Sequence, residues 1–542
     1  MKGNRTFHDA LVSFAERRVI KMKNKNIKYS LLFILLIIWI LFLNNYIQYL
    51  LNSDISSELV LSNLLNQEKR FFSNNWYYSA EFRVLYMQLI FTPLFFLTNN
   101  WHLVRILGTL IGMLLLLLSY YFFSKQFDLK NYCFFSLLIL APISYVYFDI
   151  VLVGSFYTFY LMITFISLGL VVLYTKKDNK SKNIFFALNC VLAIFSGMAG
   201  LRQLLILYLP LCLTTFIMLL MYKRNISKLK EFNYSIHIFV FSIIITLFAI
   251  IGYIINSKIL SKLYDFMQYN NIHFTEFSFE KLQLIINGWL EVFGYQINGN
   301  LFSLKSISFN LICMLLIFFI IYSVYIVIKN RNRNTYIQNF IVFYFLISVM
   351  LISVFYVITD MDYSTRYLLP ISVMFIPVIS LGTTYIDNNF FKKLVLVITI
   401  ICSFLVSILI YTEVAHNSKT SKNNELITIS NILLENNYYN GYATYWNANV
   451  LTELSNGEIS VWNVVLDENN ILQLDGVYTW LQEKSHKTTV PKDKIFILLY
   501  NEEKENSIIL NSKNNFNILY DSNSFLVLGF NNYNELKEKW IK

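Results

Sequence analysis

Two carboxylates four residues apart, Asp54 and Glu58 in "NSDISSEL" (52–59), come just after an apolar run long enough to cross a bilayer. On a helix, positions i and i+4 share a face. The pair therefore has the makings of a carboxylate base with a second acid to orient it. The same stretch also suits a helix start, with Ser53 as cap and acids at the positive end of the helix dipole. More ionisable residues follow: Glu81, Arg83 and Arg105, then Asp149, Arg202, Asp360, Asp362 and Arg366. Charge at membrane depth is costly, so several such groups on one side mark a candidate site. Which of them share a side depends on the spans that carry them.

The chain has 542 residues, 56% hydrophobic and 17% aromatic, with 14% charged. Apolar runs near 20 residues recur along it, each about the length that crosses a hydrocarbon core of ~30 Å. These features predict a polytopic helical membrane protein. The net charge of +11 sits in short segments between apolar runs. That is the pattern of cytoplasmic loops against anionic lipid and it argues against nucleic acid as a partner. Cys133, Cys190, Cys212, Cys313 and Cys402 all fall inside apolar runs, so no disulfide framework or CxxC metal motif is expected. His102, His237, His273 and His416 have no zinc-hydrolase or triad spacing.

Residues 1–28 carry eight Lys/Arg and precede the first apolar run, 29–51. The run is too long for a cleaved signal peptide, so it reads as a first span with its N-terminus in the cytoplasm. Ten further spans are expected at 103–123, 131–149, 153–174, 183–201, 204–222, 236–256, 307–328, 336–358, 367–386 and 393–412. The segment 84–98 contains Gln88 and Pro93 and is short for a crossing. If it does not cross, the loops holding Lys125/Lys130, Lys176/Lys177, Lys223/Arg224, Lys329/Arg331 and Lys392/Lys393 all face the cytoplasm. If it crosses, all five flip outward. The segment is therefore expected to lie at the outer surface as an interfacial or re-entrant helix.

Three longer segments then face outside: loop 52–102, loop 257–306 and a C-terminal domain, 413–542. Loop 257–306 is rich in aromatics, which suit a headgroup zone. The C-terminal domain shows strand-like runs at 441–446, 458–465, 494–500 and 524–530. Helical patterns at 424–436, 446–456, 475–484 and 533–541 alternate with them, predicting a small α/β domain.

On this arrangement the chemistry-bearing residues all fall on the outer side. Asp54 is the candidate base and Glu58 the candidate second acid. "SNNWYYSAEFR" (73–83) offers Trp76, Tyr77, Tyr78 and Glu81 for stacking on and hydrogen bonding to a sugar. Arg366 in "TDMDYSTRYLLP" (359–370) and Arg202 in "GLRQ" suit a phosphate, with Arg83 and Arg105 as further candidates. Each arginine suits equally well an anchor to lipid headgroups.

An acid directly after the first span, interfacial helices in the first outer loop, a later "RYLLP" entering a span and an outward C-terminal domain resemble the GT-C glycosyltransferases. These polyprenyl-phosphate-sugar-dependent membrane enzymes include protein O-mannosyltransferases and lipid A aminoarabinose transferases. The likeness covers residues 30–125 and 359–372 best. It implies an inverting transfer outside the cytoplasm, from a lipid-phosphate-linked sugar to a cell-envelope glycan, glycolipid or protein. It carries the role of base or acceptor-orienting group to Asp54 and that of donor-phosphate ligand to Arg366 first and Arg202 second. It leaves room for a divalent cation, Mg or Mn, at Asp54 and Glu58. Family members often show adjacent acids where this chain has Asp-Ile-Ser-Ser-Glu.

A lipid-linked oligosaccharide polymerase or ligase would use the same chemistry. A transporter or flippase is the alternative from another class, although transporters place polar residues near the midplane. Frequent Asn, Lys, Ile and Tyr suit an AT-rich bacterial genome and a plasma-membrane location.

Overall fold

A computed structural model describes residues 29–80, 82–176, 179–223, 229–267, 272–297, 299, 302–385, 390–467, 471–504 and 516–540. The basic segment 1–28 and Glu81 lie outside the described residues. The chain is mostly helical, with a small sheet near its C-terminus. Among the described residues nine helices are long and apolar enough to cross a bilayer, or ten if one bent pair counts as a span.

That pair occupies the run expected at 131–149. Tyr132–Leu140 and Tyr145–Val153 meet at 88°. Pro142 lacks an N–H and breaks the ladder, and Ser144 Oγ accepts from Tyr147 N at 3.2 Å to restart it. The carbonyls freed at the break find partners on the helix Phe390–Asn417. Ser407 Oγ donates to Pro142 O at 2.9 Å and the Tyr411 hydroxyl to Leu140 O at 3.4 Å. Backbone kinks at membrane depth persist where neighbouring side chains satisfy them in this way. The run expected at 183–201 is the shorter apolar helix Ser181–Gly197.

Hydrogen bonds fix which segment ends lie together. At one end, Lys176 Nζ donates to Gln126 O and Asp128, Ser380 to Lys130 O, Asn339 to the Tyr222 hydroxyl, and Tyr385 to Asn334. At the other, Arg202 meets Tyr157, Asn256 meets Met198 O, and Asn423 meets Leu51 O. The loop after the first span, 52–102, and the C-terminal sheet stand at this second end.

Helix α1 (Tyr29–Leu50) leads into α2 (Ser53–Glu68), and α3 (Gln88–Phe95) precedes α4 (Trp101–Gln126). The cap of α2 is Asn52, whose Oδ1 accepts from Ile55 N at 2.9 Å, in place of the expected Ser53. Helix α3 is eight residues long with Pro93 inside, shorter than a span. In loop 257–306, Phe274, Phe277, Phe279 and Phe302 are exposed.

The C-terminal sheet has six strands in the order β4-β3-β2-β6-β8-β7. These are β2 (Asn440–Ala443), β3 (Ser460–Leu466), β4 (Leu472–Val477), β6 (Ile495–Tyr500), β7 (Asn517–Asp521) and β8 (Phe525–Phe530). Strand β2 is parallel to β3 and β6, and the other pairs are antiparallel. Side chains alternate along β6: Phe496 and Leu498 join the core of the helical bundle, while Ile495, Ile497 and Leu499 pack with Leu526, Leu528 and Leu536 on the far face.

One expectation fails here. The helix expected at 475–484 is strand β4 and then β5 (Gln482–Glu483). Leu472 and Leu474 are buried while Gln473 and Asp475 are exposed, a period of two. Strand β5 leaves the sheet to pair antiparallel with β1 (Trp76–Tyr77) of the first loop.

Candidate functional site

The site is built on α2. Almost every face of this helix is covered, including Ser53, Ser56, Ser57, Glu58 and Ser62, because it lies between α3 and the C-terminal helix Tyr445–Leu454. Asp54, in the first turn, accepts a hydrogen bond from the Tyr445 hydroxyl. Ser53 Oγ returns a bond to Tyr445 O, and Ser57 Oγ donates to Asp54 O at 2.7 Å. One turn on, Glu58 is 9% exposed. Burial pushes its carboxyl up to about 7, against the pull of Arg83 and Arg105, with the Asp54 charge adding to the rise.

A cleft of about 660 Å³, open to solvent, brings Asp54 and Glu58 together with Arg83, Arg202 and Arg366. Ser79, Ala80, Ile150, Phe156, Tyr157, Tyr367, Trp480 and Leu481 complete its wall. Three arginines face two carboxylates, so the lining is net positive, more so when Glu58 holds its proton. Arg202 sits in a cage of rings, 5.4 Å from the centres of Tyr157 and Tyr160 and 5.1 Å from Tyr367. Its Nη1 donates to the Tyr157 hydroxyl at 3.3 Å. Arg366 rests 5.5 Å from the Tyr367 ring centre, and Arg83 4.5 Å from that of Tyr86.

Ala80, Arg202 and Tyr367 also line a second cleft, whose other walls include Leu201, Leu205, Ile206, Tyr253, Ile352 and Tyr356. A charged chamber and an apolar groove thus share an arginine and a tyrosine at their junction. An amphiphile with an anionic head and a hydrocarbon tail fits that combination.

Asp54, Glu58, Arg83, Arg202 and Arg366 therefore share one chamber. Other expected residues lie apart from it. Arg105 is buried: its Nε donates to Glu453 Oε1 at 2.9 Å, and its Nη2 to Glu453 Oε2 at 2.7 Å and Ile55 O at 2.9 Å. That bidentate pair occupies the guanidinium and joins the C-terminal domain to α4. Trp76 and Tyr78 are buried with Phe82 and Leu65 in a small core, and the Tyr78 hydroxyl donates to Ser73 O at 3.1 Å. Tyr77 pairs with Gln482 across the β1–β5 ribbon. Asp360 accepts from His273 N at 2.8 Å and ties down loop 257–306.

Tyr157, Tyr367, Tyr445 and Trp480 were not anticipated. Tyr367 follows Arg366 directly, a signal open to a reader of the sequence. Tyr445 and Trp480 belong to the C-terminal domain, and no local pattern joins them to α2.

Among the described residues no three His, Cys, Asp or Glu side chains converge to hold a metal ion. Asp54 and Glu58 are the carboxylates of the chamber, so a magnesium or manganese ion there would take most of its oxygens from a phosphate and water.

No protein-family model matches the chain, and no curated protein or solved structure matches it significantly.

Proposed function

We propose that the chain is a multi-pass transferase of the GT-C kind, moving a sugar from a polyprenyl-phosphate donor to an envelope acceptor outside the cytoplasm. The observation that carries this reading is the union of Asp54 and Glu58 with Arg83, Arg202 and Arg366 in one chamber that runs into an apolar groove. The donor phosphate rests on Arg202 and Arg366 while the prenyl chain follows Leu201, Leu205 and Ile206. Asp54 takes the proton of the acceptor hydroxyl as its oxygen bonds to the anomeric carbon. The bond from that carbon to the phosphate oxygen breaks, inverting the centre, and polyprenyl phosphate leaves with the electron pair. The arginines meet the charge that grows on the leaving oxygen.

In this reading the nine long helices, the bent pair and Ser181–Gly197 make eleven crossings. Residues 1–28 are cytoplasmic, and loop 52–102 and the C-terminal domain lie outside a plasma membrane. The basic ends at 125–130, 176 and 329–333 support that orientation.

The test is Asp54→Asn in the full chain reconstituted in lipid, with a polyprenyl-phosphate sugar as donor. Transfer should fall at least ~100-fold while donor binding persists. Undiminished transfer would remove Asp54 as the base.

A further inference from the structure

We propose that Trp446 and Tyr478, backed by Tyr445 and Trp480, form the subsite for a saccharide acceptor, so that the hydroxyl attacking the donor belongs to a sugar. This rests on the reading of Asp54 as the base. The C-terminal sheet buries most of its large aromatics, including Tyr442, Trp462, Phe496, Phe525 and Phe530. Trp446 is nevertheless 60% exposed and Tyr478 38%. Both rings pack on Tyr445, at 5.2 and 5.5 Å between centres. Tyr445 holds the Asp54 carboxylate through its hydroxyl. Trp480 itself lines the charged chamber. The open rings are therefore joined to the candidate base through one residue, Tyr445, which both rings touch and which bonds Asp54.

Exposed rings separated from a carboxylate by a single tyrosine match the two surfaces of a pyranose, its apolar C–H face and its ring of hydroxyls. The platform is held in place. Lys422 Nζ donates to Asn447 Oδ1 at 2.8 Å and to Trp446 O at 3.4 Å. The rings stand at the start of the helix Tyr445–Leu454 and just beyond β4. An extended peptide would instead add along the backbone of an edge strand, β4 or β7. The geometry thus favours a glycan over a peptide.

The experiment uses the full chain in lipid nanodiscs, wild type against Trp446→Ala, Tyr478→Ala, the double variant and Trp446→Phe. The probes are N-acetylglucosamine tetramer, maltotetraose and a serine-containing octapeptide, each titrated by ligand-observed NMR. A tetrasaccharide should bind saturably. Each alanine variant should weaken it about tenfold, and Trp446→Phe should restore most of the affinity. Binding of polyprenyl phosphate, measured alongside, should not change. The inference is overturned if neither tetrasaccharide binds, if saccharide affinity is equal in the double variant, or if the octapeptide alone depends on these rings. It is also overturned if the variants change only attachment to the lipid surface. Loss of polyprenyl-phosphate binding in Arg366→Ala tests the transferase reading separately, so the two can fail independently.

Discussion

The Tyr445 hydroxyl donates to the Asp54 carboxylate across 391 residues of chain. Burial raises the phenol well above its ordinary range, and the Asp54 charge raises it further, so Tyr445 stays a donor at every physiological pH. A carboxylate that must accept a proton from a substrate needs one fixed rotamer, and this bond supplies it. Tyr445→Phe should therefore lower kcat about ten- to a hundredfold and leave the donor KM nearly unchanged. Steady-state transfer kinetics check this, and a change confined to KM would make Tyr445 a binding residue instead.

The Arg105–Glu453 pair makes a sharper case, because the sequence suggested a phosphate ligand and the structure shows a buried lock. The two side chains are 2% and 4% exposed. Removing either partner strands a buried charge, so Arg105→Ala or Glu453→Ala should each cost about 3–5 kcal/mol of stability. The apolar double change Arg105→Met with Glu453→Leu should recover most of the lost Tm and retain donor binding. Thermal unfolding in detergent and a donor-binding assay together decide this. A rescued fold without donor binding would return Arg105 to the donor site.

How much of this was legible in the residues follows from the range of each signal. Span positions depend on local hydropathy, and all eleven expected runs contain helix. The count blurs at Pro142, where the break is local, and at Ser181–Gly197, which is short. Asp54, Glu58, Arg83, Arg202 and Arg366 could be grouped from topology alone, since parity puts them on one side. Arg105 satisfied the same test and still lies elsewhere, because its partner Glu453 is 348 residues away. The segment 475–484 departs from its expected helix for a related reason. Its alternation of Leu472 and Leu474 begins before it, and β5 is a strand only because β1 lies beside it.

Glu58 gives a pH signature with a definite sign. Its folded carboxyl holds its proton up to about 7, whereas the unfolded chain releases it near 4.5. The folded state therefore binds more protons across that window, and stability falls as pH rises from about 4.5 to 7, then levels. Glu58→Gln removes the fall. The Tm of the wild type should drop relative to this variant between pH 5 and pH 8, measured by tryptophan fluorescence in detergent. Parallel profiles would mean that Glu58 ionises as an ordinary surface acid.

His486 behaves in the opposite sense and couples to the cleft. It stacks on Trp462 at 4.3 Å between ring centres, and its Nδ1 lies 3.1 Å from Gln482 Oε1. Burial pushes its imidazole down to about 4. Its contribution to stability is thus complete above pH 6.5 and is lost as pH falls through the window down to 4. Gln482 is the residue that fixes β5: its Nε2 donates to Asn463 O at 2.9 Å, its Oε1 accepts from Asn463 N at 3.1 Å, and β5 pairs with β1. Trp480 and Leu481, which wall the chamber, immediately precede it. Charging His486 should therefore loosen this strap before the domain unfolds. Between pH 6.5 and 4 the fluorescence of the C-terminal tryptophans should change and protease sensitivity around 478–484 should rise. In His486→Gln, which carries no titrating ring, both changes should be absent. If the variant and the wild type respond to acid alike, the sensitive group lies elsewhere in the domain.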